Sequence, residues 1–200
     1  MMVHKEVAAL IKIPGGLTMK LESLRDLYVD QLKDLYNAEQ QLIKALPKMA
    51  KASTSEELRA AFEDHLGQTR QHAQRIETIF EQMGEKAAGK KCKAMEGLVK
   101  EGSEVMEEDM EGGIKDAAII AAAQRVEHYE IAGYGCVKAY ATRLGDENAA
   151  SLLAQTLQEE KQADELLNGI AEQLNLEVPK ESEQSEKKNG RVASQRKNAA

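Results

Sequence analysis

The sequence predicts an all-α protein, an antiparallel four-helix bundle in which two long hairpins are joined by a crossover carrying a short helix. Three observations lead there. Ala, Leu, Glu, Lys and Gln dominate the 200 residues, while Trp is absent and there are only three Pro; that is a helical composition. Apolar residues recur alternately three and four apart through four long blocks, the stripe a bundle helix buries. The second and third blocks are separated by about 30 residues, long enough to run back along a bundle rather than turn tightly.

The first block covers about residues 20–52, with Pro47 expected to kink or end it. "STSEEL" restarts a helix, with Ser53 and Glu56 or Thr54 and Glu57 placed as a capping box. That second block runs to Gly84, a helix stop. "CKAMEGLVKEGSEVMEE" is the short crossover helix, and the "EGG" at 111–113 breaks it. The third long block runs from about Asp116 to Leu144 and stops at Gly145, and the fourth from "DENAASLL" to about Leu174. Residues 1–18 form a flexible lead, 19–175 the bundle and 176–200 a disordered polar tail poor in large apolar residues.

Composition excludes several classes of function. A net charge of −7 argues against nonspecific nucleic-acid binding. No apolar run approaches the roughly 20 residues that span a bilayer. Cys92 and Cys136 form no disulfide framework, and the first 20 residues make no convincing secretory signal, which points to a reducing, cytoplasmic setting. Both thiols are expected to be small buried residues rather than nucleophiles.

Chemistry enters through the seam. Along the first helix it reads Tyr28, Leu32, Leu35, Glu39, Leu42, Leu46, Met49, with an acid in a core position. The second reads Leu58, Phe62, His65, Thr69, His72, Ile76, Ile79, with Gln68 alongside. On the third, "QRVEHYEIAGYG" places Glu127 and Glu130 about one turn apart on the inward stripe, and on the fourth Glu160 and Asp164 do the same. His128 and Glu159 belong to the solvated side, and Tyr129, Tyr134 and Tyr140 are packing groups. The two hairpins repeat one pattern: Glu130 answers Glu39, Glu160 answers Gln68 and Asp164 answers His72. An unpaired buried carboxylate costs several kcal/mol or shifts its pKa until it is neutral. Several together require a cation, and oxygen-rich sites with one or two imidazoles suit iron or manganese.

"YNAEQQLIKALPKMAKA", "AFEDHLGQTRQHAQRIE", "AAAQRVEHYEIAGYG" and "LLAQTLQEEKQADELL" together resemble the YciF/YciE family of bacterial ferritin-like stress proteins, over roughly residues 19–175. The resemblance implies a ferritin-like homodimer with a rubrerythrin-like di-metal pocket and a stress-associated role. Glu39, His65, Glu130, Glu160 and Asp164 match the family's inward polar positions. The family often carries Glu where this chain has Gln68, and an amide is a poorer bridge between cations. The expectation is therefore unequal metal positions, the weaker near Gln68; the alternative is that Gln68 hydrogen-bonds His65 or His72 and that Glu127 supplies the missing charge.

The function expected is binding of one or two iron or manganese ions, with oxidation of ferrous iron or consumption of peroxide. A non-catalytic structural or interaction protein with a vestigial or structural metal site is the alternative. No residue is assigned a catalytic role at this level.

Overall fold

The computed structural model describes residues 21–87 and 90–177. Among them are five helices and no strand: α1 (Leu24–Ala52), α2 (Glu56–Gln82), α3 (Lys93–Glu107), α4 (Gly112–Leu144) and α5 (Glu147–Glu177). The expected lead and tail lie outside the described residues, except that α5 runs on to Glu177.

Helices α1 and α2 form one hairpin and α4 and α5 the other, with α1 against α4 and α2 against α5. The second pair of contacts is antiparallel as well. Thr54, just past α1, bonds Asp116 near the start of α4, and Gln82 at the end of α2 bonds Asn148 at the start of α5. The chain therefore has to return along the bundle between α2 and α4, and α3 does so on the outside of the α1–α4 face.

Local chemistry sets the boundaries. Ser23 caps α1: its hydroxyl accepts from the Asp26 N–H at 3.1 Å, and the Asp26 carboxylate accepts from the Ser23 N–H at 3.0 Å, a reciprocal box. Pro47 does not end α1. It lacks one donor, but Leu46, Met49 and Ala50 around it are buried in the core, and that packing carries the helix through. The cap of α2 is Ser55, which accepts from the Leu58 N–H, rather than Ser53 or Thr54. Those two serve the turn: Thr54 donates to Asp116 through its N–H and its hydroxyl, Ser55 donates to it through its N–H, and Ser53 donates back to Met49. Helix α4 begins at Gly112, earlier than the sequence suggested, and a Cβ at that position would stand 3.0 Å from the Thr54 hydroxyl. Gly84 and Gly145 have φ of 69° and 80° and end α2 and α4 in the left-handed turn glycine favours.

The core is two apolar clusters. One is built on Leu42, Leu46, Leu58, Phe62, Ile119, Ile120, Leu167 and Ile170. The other is built on Tyr28, Leu32, Leu35, Ile76, Phe80, Tyr134 and Leu153. On each long helix buried polar residues lie between the two clusters: Glu39 on α1, His65, Thr69 and His72 on α2, Glu127 and Glu130 on α4, Thr156 and Glu160 on α5. A polar layer thus crosses the bundle at mid-height, capped by hydrocarbon above and below.

Close approach of α4 to α1 beside this layer depends on Gly133, where a Cβ would stand 2.7 Å from Leu35 Cδ2. Gly135, one step on, meets nothing within 4 Å. Gly135→Ala should therefore raise stability by about 0.5–1 kcal/mol through helix propensity. Gly133→Ala should lower it, because overpacking against Leu35 costs about 1–3 kcal/mol and exceeds the same propensity gain. Chemical denaturation of the two variants checks this; equal effects would show that α1 and α4 do not touch there.

Candidate metal centre

The polar layer holds four buried carboxylates, Glu39, Glu127, Glu130 and Glu160, and two buried imidazoles, His65 and His72. They fall into two groups of mutually close donor atoms. His65, Glu127, Glu130 and Glu160 each offer one atom within 4.8 Å of the others, and so do Glu39, His72 and Glu160. Glu160 belongs to both groups.

The hydrogen-bond inventory tests whether such a site fits a cation. Both oxygens of Glu130, one each of Glu39 and Glu127, and His65 Nε2 are buried without a hydrogen-bond partner, and Glu160 Oε1 and His72 Nδ1 have only each other. Asp116 is the internal control: it is equally buried, yet its two oxygens accept three hydrogen bonds from Thr54 and Ser55. The orphaned atoms are lone pairs facing one another, a donor set of oxygen and imidazole nitrogen that suits iron or manganese. His72 Nδ1 lies 2.9 Å from Glu160 Oε1 and 3.7 Å from Glu39 Oε1. His65 Nε2 lies 3.5 Å from Glu127 Oε1 and 3.7 Å from Glu160 Oε2. Each ring thus turns a single nitrogen toward the acids.

The other nitrogen of each ring is held from behind. His72 Nε2 is 2.8 Å from Glu159 Oε2. Glu159 is gripped by Arg75 through two hydrogen bonds of 2.5 and 3.0 Å, and Arg75 also donates to Thr156. Partial burial raises Glu159, but hydrogen bonds from Arg75 and Gln155 outweigh it and hold the carboxyl below its usual value. It is therefore an anionic acceptor, so Nε2 donates and Nδ1 is left to face the acids. His65 Nδ1 faces the Gln68 amide oxygen at 3.1 Å, which in the same way leaves Nε2 free. Tyr134, fully buried one turn after Glu130, donates its hydroxyl to Glu39 Oε1.

Burial, then the Glu160 charge, push Glu39 from 4.5 up to about 8. Glu127 also stands at about 8, chiefly through burial. Glu130 is raised well above the carboxylate range by burial and by Glu39, Glu160 and Glu127. Burial alone would lower His72, but Glu160 and Glu39 beside it raise it from 6.5 to about 9. In the metal-free protein, protons stand where cations would.

Of the eight residues singled out in the sequence, six come together: Glu39, His65, His72, Glu127, Glu130 and Glu160. Gln68 is placed behind His65, and Glu127 joins the His65 group, which is the arrangement given above as the alternative to unequal sites. Asp164 stands outside both groups, half-buried, 3.5 Å from the exposed His128. Three expectations need correction. Glu159 is not a solvated charge but the partner of His72. Tyr134 is more than a packing group. Cys136 is exposed, whereas Cys92 is buried as expected. Nothing in the seam marks Glu159 or Arg75, which lie off it; only their facing positions on α2 and α5 reveal them.

The family described as Domain of unknown function (DUF892) matches residues 23–178. The chain is 44% identical over 154 residues to Protein YciF of Escherichia coli (strain K12), covering 76% of this chain and 93% of that one. The crystal structure of the E. coli stress protein YciF superposes with a TM-score of 0.76 at 42% identity, covering 78% of this chain and 99% of that one. YcfI from Rhodopseudomonas palustris superposes at 0.73 and 40% identity, covering 76% and 98%. A two-domain protein from Anabaena variabilis containing a ferritin-like domain matches at 0.55 and 14% identity, over 88% of this chain and 47% of that one, a likeness of fold alone.

The protonation pattern sets a pH dependence. Glu39, Glu127 and His72 have folded pKa values above their unfolded ones, so their contribution to stability is full below the unfolded values. It is lost as pH rises through about 8 for the acids and about 9 for His72. The melting temperature of metal-free protein should therefore fall between pH 5.5 and 9. Glu130→Gln, which removes a charge the cluster resists, should flatten the profile. Scanning calorimetry of chelator-treated protein checks both; a profile that rises over this range would contradict the protonated cluster.

Proposed function

The chain belongs to the family described as Domain of unknown function (DUF892), and on that premise we propose that it is a two-metal, ferritin-like protein that binds iron or manganese and oxidises ferrous iron with peroxide or dioxygen. The observation that carries this reading is the membership of Glu160 in both donor groups. Two divalent cations a few ångströms apart repel strongly, and a shared anionic carboxylate offsets that repulsion. A pair of ferrous ions supplies two electrons together, the number needed to reduce a peroxide bond.

The remaining roles belong to the chain. His72 and Glu39 hold one position, and His65, Glu127 and Glu130 the other. Glu159, fixed by Arg75, keeps His72 in the tautomer that presents Nδ1. Gln68 does the same for His65 with a neutral acceptor. Tyr134 holds Glu39 Oε1, which also lies 3.7 Å from His72 Nδ1, and leaves Oε2 without a partner. The apolar layers above and below exclude water, which strengthens every charge interaction within. The stress association of the E. coli protein that this chain resembles supports a protective role.

Anaerobic titration with ferrous iron, followed by metal analysis, tests the reading. Wild type should take up two ions per chain, His72→Ala about one, and Glu160→Ala fewer than one. Absence of tight uptake by wild type would overturn the proposal. Two-ion uptake without oxidation on adding peroxide would leave a structural metal site instead.

Binding should also release protons, because the cation displaces those on Glu39, Glu127 and His72. Calorimetric titration in two buffers of different ionisation enthalpy should show net release at pH 7, and affinity should rise with pH. Glu159→Gln or Arg75→Ala should weaken one of the two positions by about 10–100-fold, the usual effect of losing a ligand's supporting partner. Unchanged affinity in both variants would mean that the Arg75–Glu159–His72 chain serves the fold only.

A further inference from the structure

Between α2, α4 and α5 a cavity of about 180 Å³ reaches in from the surface to the metal-binding residues. Its floor is His65, Gln68 and Glu127. Its walls are Ala61, Phe62, Ala163, Leu166 and Leu167, with Asp64 and Gln162 as the polar residues beside them, and Leu166 is 50% exposed. Floor and walls differ in character. The floor carries His65 Nε2 and Glu127 Oε2, both buried and without a hydrogen-bond partner. The walls are mostly hydrocarbon. None of Glu39, His72 and Glu160 lines this cavity, so it addresses the centre from the His65 side.

Size and lining decide what fits. A water molecule has a share of about 30 Å³ in the liquid, and an apolar cavity of about 150 Å³ takes up benzene. Hydrogen peroxide or dioxygen would leave most of this space unused and would gain little from hydrocarbon walls. A molecule with a reducible polar head and an apolar tail of about four to six carbons matches both ends. Resting on the two-metal reading above, we propose that this cavity binds small organic hydroperoxides, tail against Phe62, Leu166 and Leu167, peroxide group toward His65 and Glu127. A ferrous pair held by the two donor groups around Glu160 would supply the two electrons that break the O–O bond, and two protons from solvent at the mouth would complete an alcohol and water. Contacts to the tail supply binding energy remote from the reacting bond, which is how a site prefers one peroxide over another.

Two measurements on the full chain test this. In the first, tert-butanol, the alcohol product of tert-butyl hydroperoxide, is titrated into metal-free, methyl-labelled protein. The methyl signals of Ala61, Ala163, Leu166 and Leu167 should shift, and Ala163→Leu or Ala61→Leu, which plug the cavity from α5 and α2, should each abolish the shifts. Shifts confined to the separate cavity under α3, lined by Leu98, Val99 and Met106, would overturn the assignment, as would no shift anywhere. Contacts from a second copy of the chain to the Leu166 and Ala163 methyls would also overturn it, identifying the cavity as a protomer interface. In the second, ferrous-loaded protein is mixed with tert-butyl hydroperoxide or hydrogen peroxide, with metal content measured on the same samples. The ratio of the two oxidation rates should fall at least about tenfold in whichever plugged variant retains the wild-type helical spectrum. An unchanged ratio in protein that holds its metal overturns the cavity assignment and leaves the centre standing. Failure of wild type to take up metal overturns the two-metal reading itself, and this proposal with it.

Discussion

Four carboxylates lie in the middle of a hydrocarbon core with most of their oxygens unpaired, and the rest of the structure is arranged around that fact. Ordinary buried acids are stabilised by donors, as Asp116 is by Thr54 and Ser55. Glu130 has no such donor, and Glu160 has only the histidine rings beside it. Their burial is tolerable only if positive charge or protons neutralise them. Every long helix contributes to the layer, so the bundle cannot open at one corner without exposing the acids to water. It cannot be fully charged in the absence of a cation either. Folding and proton uptake are therefore linked, and any cation bound there would join the same equilibrium.

The apolar clusters give the layer its precision. Leu35 and Leu42 bracket Glu39, Phe62 and Ile76 bracket the two histidines, and Leu153 and Leu167 bracket Glu160. Each bracket fixes a helix in rotation and height, and with it the direction of the polar side chain. Gly133 lets α4 come close enough to α1 for Tyr134 to reach Glu39. Behind the histidines, Gln68 and the Arg75–Glu159 pair set which nitrogen carries hydrogen. These supports are unequal, one neutral and one anionic, and the cavity meets only the His65 side. A centre with two similar donor groups is thus made asymmetric by what stands behind and beside it.

Helix α3 closes the arrangement. Its start is tied to α1, where Asn37 accepts from the Cys92 N–H and Gln41 donates to the Cys92 carbonyl. The Cys92 thiol meets the Tyr129 hydroxyl, which donates to Asp34. These bonds hold the crossover on the α1–α4 face, while the cavity that meets His65 and Glu127 lies between α2, α4 and α5. The long connection leaves all four helices antiparallel to their neighbours.

The sequence by itself determined the four long helices, their two-hairpin order and the inward acids and histidines. Those follow from periodicity, and an acid or imidazole at a core position on all four helices is a pattern that one-dimensional spacing can show. It expected unequal metal positions because of Gln68 and gave Glu127 as compensation only as the alternative. It misplaced the α2 cap, because Ser53, Thr54 and Ser55 are chemically alike and only the position of Asp116, 61 residues away from Ser55, assigns each its partner. It set Glu159 aside as solvated, because its neighbours on α5 do not reveal that Arg75 and His72 face it from α2. It matched Asp164 to His72 as corresponding positions of the internal repeat and offered it as a metal ligand, whereas Asp164 stands outside both donor groups, beside His128. Spacing along one helix fixes which face a residue occupies. Which residue of another helix meets that face, at what height and with which atom, is fixed only when the side chains of four helices interlock, and the grouping of donors around Glu160 is a consequence of that interlock.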